Sequence, residues 1–196
     1  MTIFIVKSWP MSDDVRERMV LGAMRLLATK GLEGVSFSTV LEATGAPRGS
    51  IYHHFPEGKN QLIELAVQRA GQYLLAAMET PARTGAVEVA EHFFEIWRNV
   101  LHQSDFQAGC AVLAVTVATH EPALLKQARD VFRAWQGQLT LQLTKGGLKP
   151  NQAKAVATVM ITSVEGAMVL SRATRSSEPF EATAAFIIGQ IKDLIH

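Results

Sequence analysis

Apolar residues recur about every 3.6 positions along most of the chain, and no stretch alternates strictly between apolar and polar residues. This spacing is typical of amphipathic α-helices and argues against β-strands. The first such stretch runs from Asp13 to Lys30, and we expect Ser12 to cap it. Counting these stretches to the end of the chain predicts an all-α protein of about nine helices.

Two short helical segments joined by a tight turn follow the first helix. Residues 36–59 read SFSTVLEATGAPRGSIYHHFPEGK. Ser36 is a good N-cap, Gly45 can end a helix in the left-handed conformation, and Pro47 suits the first turn of a second helix reaching about His53. Such a pair is a helix-turn-helix, whose second helix enters a DNA major groove. The alternative is an ordinary helical hairpin.

A longer helix begins near Lys59 and ends where Pro81 to Gly85 interrupt the pattern. We therefore divide the chain into an N-terminal arm (1–11), a DNA-binding head (12–57), a connecting helix (58–83) and a C-terminal domain (84–196). The C-terminal domain reads as helical hairpins. Its segment from Ala108 to Thr119 is almost wholly apolar, which predicts a buried helix.

Composition limits the function classes only weakly. The formal net charge is +1, so DNA binding must depend on where the basic groups lie. We find no run of 18 apolar residues, and we therefore expect no membrane partner. The one cysteine fits a reducing compartment, which makes the cytoplasm the expected location. We find no pattern of a catalytic nucleophile with its base and no ligand spacing for a metal, so we expect neither an enzyme nor a cofactor.

The head resembles the TetR family of transcriptional repressors. The match covers about residues 15–63, and the motif residues are Gly31, Val35, Ser36, Gly45, Tyr52, Phe55 and Lys59. The string YHHFPEGKNQL is similar to a subgroup of multidrug- or flavonoid-responsive repressors, whereas Leu41 stands where the family usually has alanine. The resemblance implies a helix-turn-helix head with a C-terminal domain for ligand binding and dimerisation.

The chemistry of the head agrees with this resemblance. Arg48 is long enough to reach the guanine edge, and hydroxyls and free N–H groups at a helix start can hold a phosphate. Tyr52 suits a role in ring packing as well as a role in phosphate contact. His54 is explained equally well as an exposed residue without a role and as a donor to phosphate. The residues that we assign to DNA binding are Ser36, Ser38, Thr39, Arg48, Gly49, Ser50, Tyr52, His53, His54 and Lys59.

For the C-terminal domain the resemblance implies a cavity that takes a small hydrophobic effector. Aromatic and methionine side chains suit such a cavity, although each is also explained as core. The candidate residues are Phe93, Phe94, Trp97, Cys110, Phe132, Trp135, Met160, Glu165 and Met168. Glu165 is a carboxylate in an apolar stretch and fits either a cavity or a solvent-facing position. Cys110 fits a small core residue better than a redox-sensing thiol.

In the family the last two helices pair with their copies to form a homodimer. The candidate contacts are Ala157, Val164, Ala167, Ile187 and Ile191, which intramolecular core explains nearly as well. The expected function is a homodimeric repressor that a hydrophobic effector releases from a palindromic operator. The alternatives are an activator or effector-free DNA-binding protein of the same fold, and a helical carrier protein without DNA-binding activity.

Overall fold

The structure, a computed structural model, describes residues 14–79 and 85–195. These residues form an all-α protein, as predicted, with short 3-10 turns at Leu32–Gly34 and Arg48–Ser50. The α-helices of the described residues are α1 (Val15–Lys30), α2 (Phe37–Thr44), α3 (Ile51–His54), α4 (Lys59–Glu79), α5 (Ala86–Gln103), α6 (Ala111–Ala118), α7 (Pro122–Lys145), α8 (Pro150–Thr174) and α9 (Glu178–Ile195).

Helix α1 begins at Val15, and the Asp14 carboxylate caps it by accepting a hydrogen bond from the Arg16 N–H at 3.0 Å. An aspartate there also complements the positive end of the helix dipole. The predicted Ser12 cap and the predicted arm 1–11 lie outside the described residues. The helix ends at Gly31, whose φ of 72° is one that other residues rarely adopt.

In the head, α1 packs against both α2 and α4. Its contact with α2 is tight at Gly22, because a Cβ atom built there would lie 2.3 Å from Cγ2 of Thr44. A salt bridge of 2.7 Å between Glu17 and Arg69 joins α1 to α4. The head therefore has a fixed frame on which the shorter helices are mounted.

Helix α4 continues from the head into the C-terminal domain, where it packs against α7. The indole N–H of Trp135 donates to the Gly71 carbonyl at 3.0 Å, and the Gln142 side chain donates to the Met78 carbonyl at 2.9 Å. A Cβ atom at Gly71 would lie 2.9 Å from Val131. Because α4 packs in both regions, the domain bounds at 57 and 83 stay a prediction.

The segment predicted as one buried helix from Ala108 to Thr119 is shorter and only partly buried. Helix α6 spans Ala111–Ala118, packs one face against α1, α4 and α7, and leaves Val117 75% exposed. An apolar sequence does not require burial of every face, since much of any protein surface is apolar.

Helix α8 is long and apolar enough to cross a membrane by length and composition alone. In the fold it lies within the helical body, packed against α5, α7 and α9. The sequence of α8 contains no unbroken run of 18 apolar residues, and the helix passes this test because alanine, glycine and threonine separate its large apolar residues without adding charge.

Candidate DNA-binding and effector sites

The start of α2 is held by a reciprocal capping box. The Ser36 hydroxyl accepts from the Thr39 N–H at 3.1 Å, and the Thr39 hydroxyl lies 2.8 Å from the Ser36 N–H. Ser38 is exposed, and its hydroxyl lies 2.8 Å from that of Ser36. Thr39 therefore stabilises the helix start, whereas Ser38 remains open to a phosphate.

The turn after α2 follows the prediction in part. Gly45 has φ 65° and ψ 17°, the left-handed conformation expected of it. Pro47 precedes the next helix rather than occupying its first turn, and the predicted second helix begins as a 3-10 turn at Arg48–Ser50. Only Ile51–His54 is α-helical. Pro47 has ψ 132°, an extended value, so the helix cannot start before Arg48.

The recognition segment, residues 48–54, exposes most of its polar side chains. Arg48, Gly49 and His53 are exposed, whereas His54 is half-buried. The Ser50 hydroxyl is already used, because it donates to the Pro47 carbonyl at 2.7 Å. These side chains surround one buried anchor, Ile51, which is 1% exposed.

Tyr52 packs its ring on the head and is also exposed, so its contact with a phosphate stays a prediction. Its side chain is 71% exposed, yet its ring meets the ring of Phe37 edge to face at 5.5 Å. The packing holds the ring while the hydroxyl stays accessible. Tyr52 thus links the recognition segment to the start of α2.

The loop after α3 fixes the start of α4. Phe55 is fully buried, and Arg16 lies over its ring at 5.7 Å. Gly58 has a φ of 87°, and exposed Lys59 then begins α4. Lys59 is therefore presented beside the recognition segment at a helix N-terminus, a favourable place for a phosphate.

In the C-terminal domain the candidate effector residues divide by environment. Phe93 and Phe94 are enclosed, and Phe94 packs on Phe180. Met160 and Met168 are likewise buried. A second aromatic group consists of Trp97, Phe132 and Trp135, whose rings meet edge to face at 6.4 and 5.4 Å. Within it, the Trp97 indole N–H is buried without a hydrogen-bond partner.

Glu165 faces the interior rather than solvent. It is 8% exposed, and neither of its carboxylate oxygens has a hydrogen-bond partner. Burial raises the pKa of Glu165 to about 7, and the interaction with the neighbouring Cys110 thiol opposes this shift. An acid this deeply buried without a cation is costly to ionise.

Cys110 lies at the N-terminus of α6 as its capping residue. Its sulfur accepts from the Leu113 N–H at 3.3 Å, and the side chain is 6% exposed. Burial, and then the adjacent Glu165 carboxylate, raises the pKa of the Cys110 thiol well above its ordinary value. A reactive cysteine needs the opposite environment, so Cys110 fits the structural role.

The predicted dimer contacts are buried inside the chain itself. Ala157, Val164, Ala167, Ile187 and Ile191 are each 5% exposed or less, so they form the intramolecular core, the alternative left open for them. Sequence reasoning missed a second face on the same two helices. Its exposed apolar members are Val159, Val169, Leu170, Phe186 and Leu194.

Helical spacing places these residues on one face, although it does not decide whether that face is internal or exposed. Val159, Gly166 and Leu170 recur at helical intervals, and Phe186 and Gly189 do so on α9. A Cβ atom at either glycine would meet nothing within 4 Å. We call this set the α8–α9 face.

Comparisons with known proteins identify the chain. Residues 20–66 match the model of bacterial regulatory proteins of the tetR family, and residues 86–186 match the C-terminal domain of LmrA/YxaF-like transcriptional regulators. The chain belongs to the TetR family. It is a helix-turn-helix transcriptional regulator, and the resemblance of its head is confirmed.

Relatives extend over both parts of this TetR-family chain. An uncharacterized HTH-type transcriptional regulator of Mycobacterium tuberculosis is 34% identical over 173 residues, covering 85% of this chain and 88% of its own. The HTH-type transcriptional repressor AcnR of Corynebacterium glutamicum is 35% identical over 80 residues, 41% of this chain and 40% of its own.

A TetR transcriptional regulator from Legionella pneumophila has the same fold, with a TM-score of 0.82 at 21% identity. The match covers 91% of this chain and 98% of that one. The likeness extends to the helical body as well as to the head, and at this identity it shows the fold alone.

Proposed function

We propose that this regulator is a homodimeric repressor that binds a palindromic operator and is released by a small hydrophobic effector. The observation that supports DNA binding is the exposed group of Arg48, Tyr52 and His53 around the buried anchor Ile51. Lys59 and Ser38 flank this group. The regulator works in the cytoplasm, where it meets DNA.

The roles within the head follow from reach and chemistry. Arg48 reads a guanine edge through O6 and N7, a contact worth roughly 1–3 kcal/mol of discrimination. Lys59, Ser38 and the Tyr52 hydroxyl hold phosphates, which fix the register without reading sequence. Repression is supported by the name of the Corynebacterium relative, whose match covers 41% of this chain.

The α8–α9 face is the surface that we assign to the second copy of the chain. Phe186 is 69% exposed and Leu170 is 57% exposed, which is unfavourable in water for large apolar side chains. Small residues at Gly166 and Gly189 would let two helix pairs approach closely. Two-fold pairing would place two recognition segments about one DNA turn (~34 Å) apart.

The body contacts the head directly through the loop between α5 and α6, residues 104–110. The Gly109 N–H donates to the Ala28 carbonyl at 2.8 Å, near the end of α1. Arg172 of α8 also donates to the Thr29 carbonyl at 3.0 Å. An effector that moves this loop or α8 would therefore move α1 and change the separation of the two heads.

The effector acts only through its different affinity for the two arrangements. Reversing a balance from 1:99 to 99:1 requires about 5.5 kcal/mol of differential binding. A rigid contact such as Gly109 to Ala28 suits this role, because it links the position of the body to that of the head.

The proposed DNA binding is tested by gel shift with the DNA upstream of the regulator's own gene. We expect a sequence-selective, salt-sensitive complex for the wild type and roughly 10- to 100-fold weaker binding for Arg48→Ala. Arg133→Ala is the matched control, since it removes an exposed arginine from α7 in the body. A selective complex that Arg48→Ala leaves intact would contradict the assigned reading role.

The proposed release by an effector is tested by adding apolar aromatic compounds to the same complex. Dissociation by a saturating compound, with no effect on a non-specific complex, supports effector-controlled repression. A complex that persists when the compound saturates the body favours the activator or effector-free alternative. No selective shift under any condition favours the carrier alternative.

A further inference from the structure

We propose that Glu165 binds the ammonium group of the effector, so that the effector class is a hydrophobic amine rather than a neutral or acidic compound. The inference rests on the proposed function, because it identifies what the effector-binding body recognises. It begins from the two carboxylate oxygens of Glu165, which are both buried and both without a hydrogen-bond partner.

A carboxylate in this position needs a partner that residues 14–79 and 85–195 do not supply. Buried charges in proteins are paired or hydrogen-bonded, because an isolated buried charge loses its hydration energy and gains no interaction that compensates for the loss. Across residues 14–79 and 85–195, the salt bridges join other acids to lysine or arginine, and none includes Glu165. No basic side chain of the described residues contributes to the shift in the pKa of Glu165.

The polar neighbour of Glu165 is the Cys110 thiol. A thiol is a weak donor, and Cys110 is itself the cap of α6. The thiol can replace neither a cation nor the several hydrogen bonds that a carboxylate normally accepts. We therefore assign the missing partner to a bound molecule, in which an ammonium group supplies both the charge and the N–H donors.

The surroundings fit the rest of such a molecule. Met168 lies one turn along α8 from Glu165 and is buried, and the chain places Trp97, Phe132 and Trp135 together in the same domain. Aromatic and methionine side chains bind flat apolar groups, and aromatic faces also attract cations. A molecule that bound both the Glu165 carboxylate and side chains of these types would be an aromatic amine rather than an acid.

The position of Glu165 also suits the control of the head. Its neighbour Cys110 follows Gly109 directly, and the Gly109 N–H donates to the Ala28 carbonyl of α1. An ammonium group that draws the Glu165 carboxylate away from Cys110 would alter the start of α6 beside that contact. Recognition and release would then share one set of residues.

The test measures binding of three probes with the same ring system by calorimetry on the whole protein at about pH 8. The probes are 1-naphthylmethylamine, 1-naphthylmethanol and 1-naphthoate. We expect the amine to bind wild type at least tenfold more tightly than the alcohol, and the acid to bind most weakly. The Glu165→Gln variant should bind the amine at least tenfold more weakly than wild type does, and its affinity for the alcohol should stay within about twofold of wild type.

The matched control is Glu91→Gln. Glu91 lies in an open surface pocket of α5 and α9 that also contains Glu88 and Glu95. Both variants remove one carboxylate, so a loss of amine binding in Glu91→Gln alone would place the ammonium group at the surface and overturn the inference. Equal binding of amine and alcohol by wild type, or no amine binding, would also overturn it.

These measurements separate this inference from the proposed function. If Glu165→Gln does not fold, the order of the three probes on wild type still decides between an amine and a neutral effector. Calorimetry needs no DNA, whereas the operator complex is measured without any probe. A selective operator complex with no preference for the amine would therefore refute the effector class and leave the repressor proposal standing.

Discussion

Arg48 in the head and Glu165 in the body are both ionisable side chains to which we assign binding roles, but their environments are opposite. Arg48 is exposed, whereas Glu165 is 8% exposed and its oxygens have no partner. A side chain that is to contact DNA has to project from the surface, and Arg48 meets this requirement of its proposed role. The body can hold an unpaired acid only because its surrounding helices stabilise the fold.

The two regions also differ in how their surfaces are completed. The head buries Ile51 and Phe55 and exposes mainly polar groups, so it forms a finished surface for a charged partner. The body leaves Phe186 and Leu170 in contact with solvent on the α8–α9 face. The head therefore leaves no large apolar surface among these residues, whereas the exposed apolar residues of the body agree with the proposed pairing of two copies.

The largest expected effect comes from Phe186→Glu in the body. The substitution places a carboxylate from each chain in the proposed apolar interface, and we expect the dimer to become a monomer. Operator binding should then weaken by about 100-fold or more, because two linked heads gain affinity of that order over one. Light scattering after size-exclusion chromatography measures the mass, and gel shift measures the affinity.

Val117→Glu is the control for that substitution. Val117 is 75% exposed, but it lies on α6 outside the α8–α9 face. We expect this variant to remain dimeric with wild-type affinity. Dissociation by Val117→Glu but not by Phe186→Glu would move the interface to α6.

The next largest effect is the pH dependence caused by Glu165. Its pKa is about 7 in the folded protein, compared with the ordinary 4.5 of a glutamate. Between these values the folded protein binds more protons than the unfolded chain, so the free energy of unfolding falls as pH rises. The cost reaches about 3 kcal/mol and is complete above pH 7.

Glu165→Gln removes this titration. Relative to wild type, its free energy of unfolding should rise by about 2–3 kcal/mol between pH 5 and pH 8. Urea denaturation at several pH values measures the difference. Glu91→Gln removes an exposed carboxylate instead, and the same pH-dependent gain in that variant would contradict the assignment to Glu165.

A smaller effect is expected in the head from Ser36→Ala. The substitution removes the hydroxyl that accepts from the Thr39 N–H, and the loss of such a cap costs about 1 kcal/mol. For a chain of this size the melting temperature should fall by about 2–4 °C. Calorimetric melting measures it.

Ser38→Ala serves as the control for the cap. Ser38 is exposed, and its hydroxyl contacts only that of Ser36 among the hydrogen bonds of the described chain. We expect its melting temperature to stay within about 1 °C of wild type. An equal loss in both variants would show that the pair of hydroxyls, rather than the cap, stabilises α2.

Much of the head was predictable because its signals are local. Ser36 caps α2 through a residue three positions away, and Gly45 ends it through its own backbone conformation. The start of the recognition segment was not predicted, since the 3-10 turn at Arg48–Ser50 follows from the extended conformation of Pro47. Which residues of the head bind DNA remains a prediction.

In the body the sequence determined the helices and their apolar stripes, because helical periodicity is a property of neighbouring positions. It did not determine which stripe is internal. Ala157 and Val164 form the core of the chain and Val159 and Leu170 its open face, although all four are apolar residues of one helix. Only packing against α5, α7 and α9 distinguishes them.

The sequence by itself therefore determined the family, the all-α fold and the residue types of the helix-turn-helix. The tertiary structure alone decided that Glu165 points inward beside Cys110 and that Gly109 reaches α1. The physical reason is distance along the chain. Caps and turns depend on residues a few positions apart, whereas burial of Glu165 and the contact between Gly109 and Ala28 depend on segments brought together by folding.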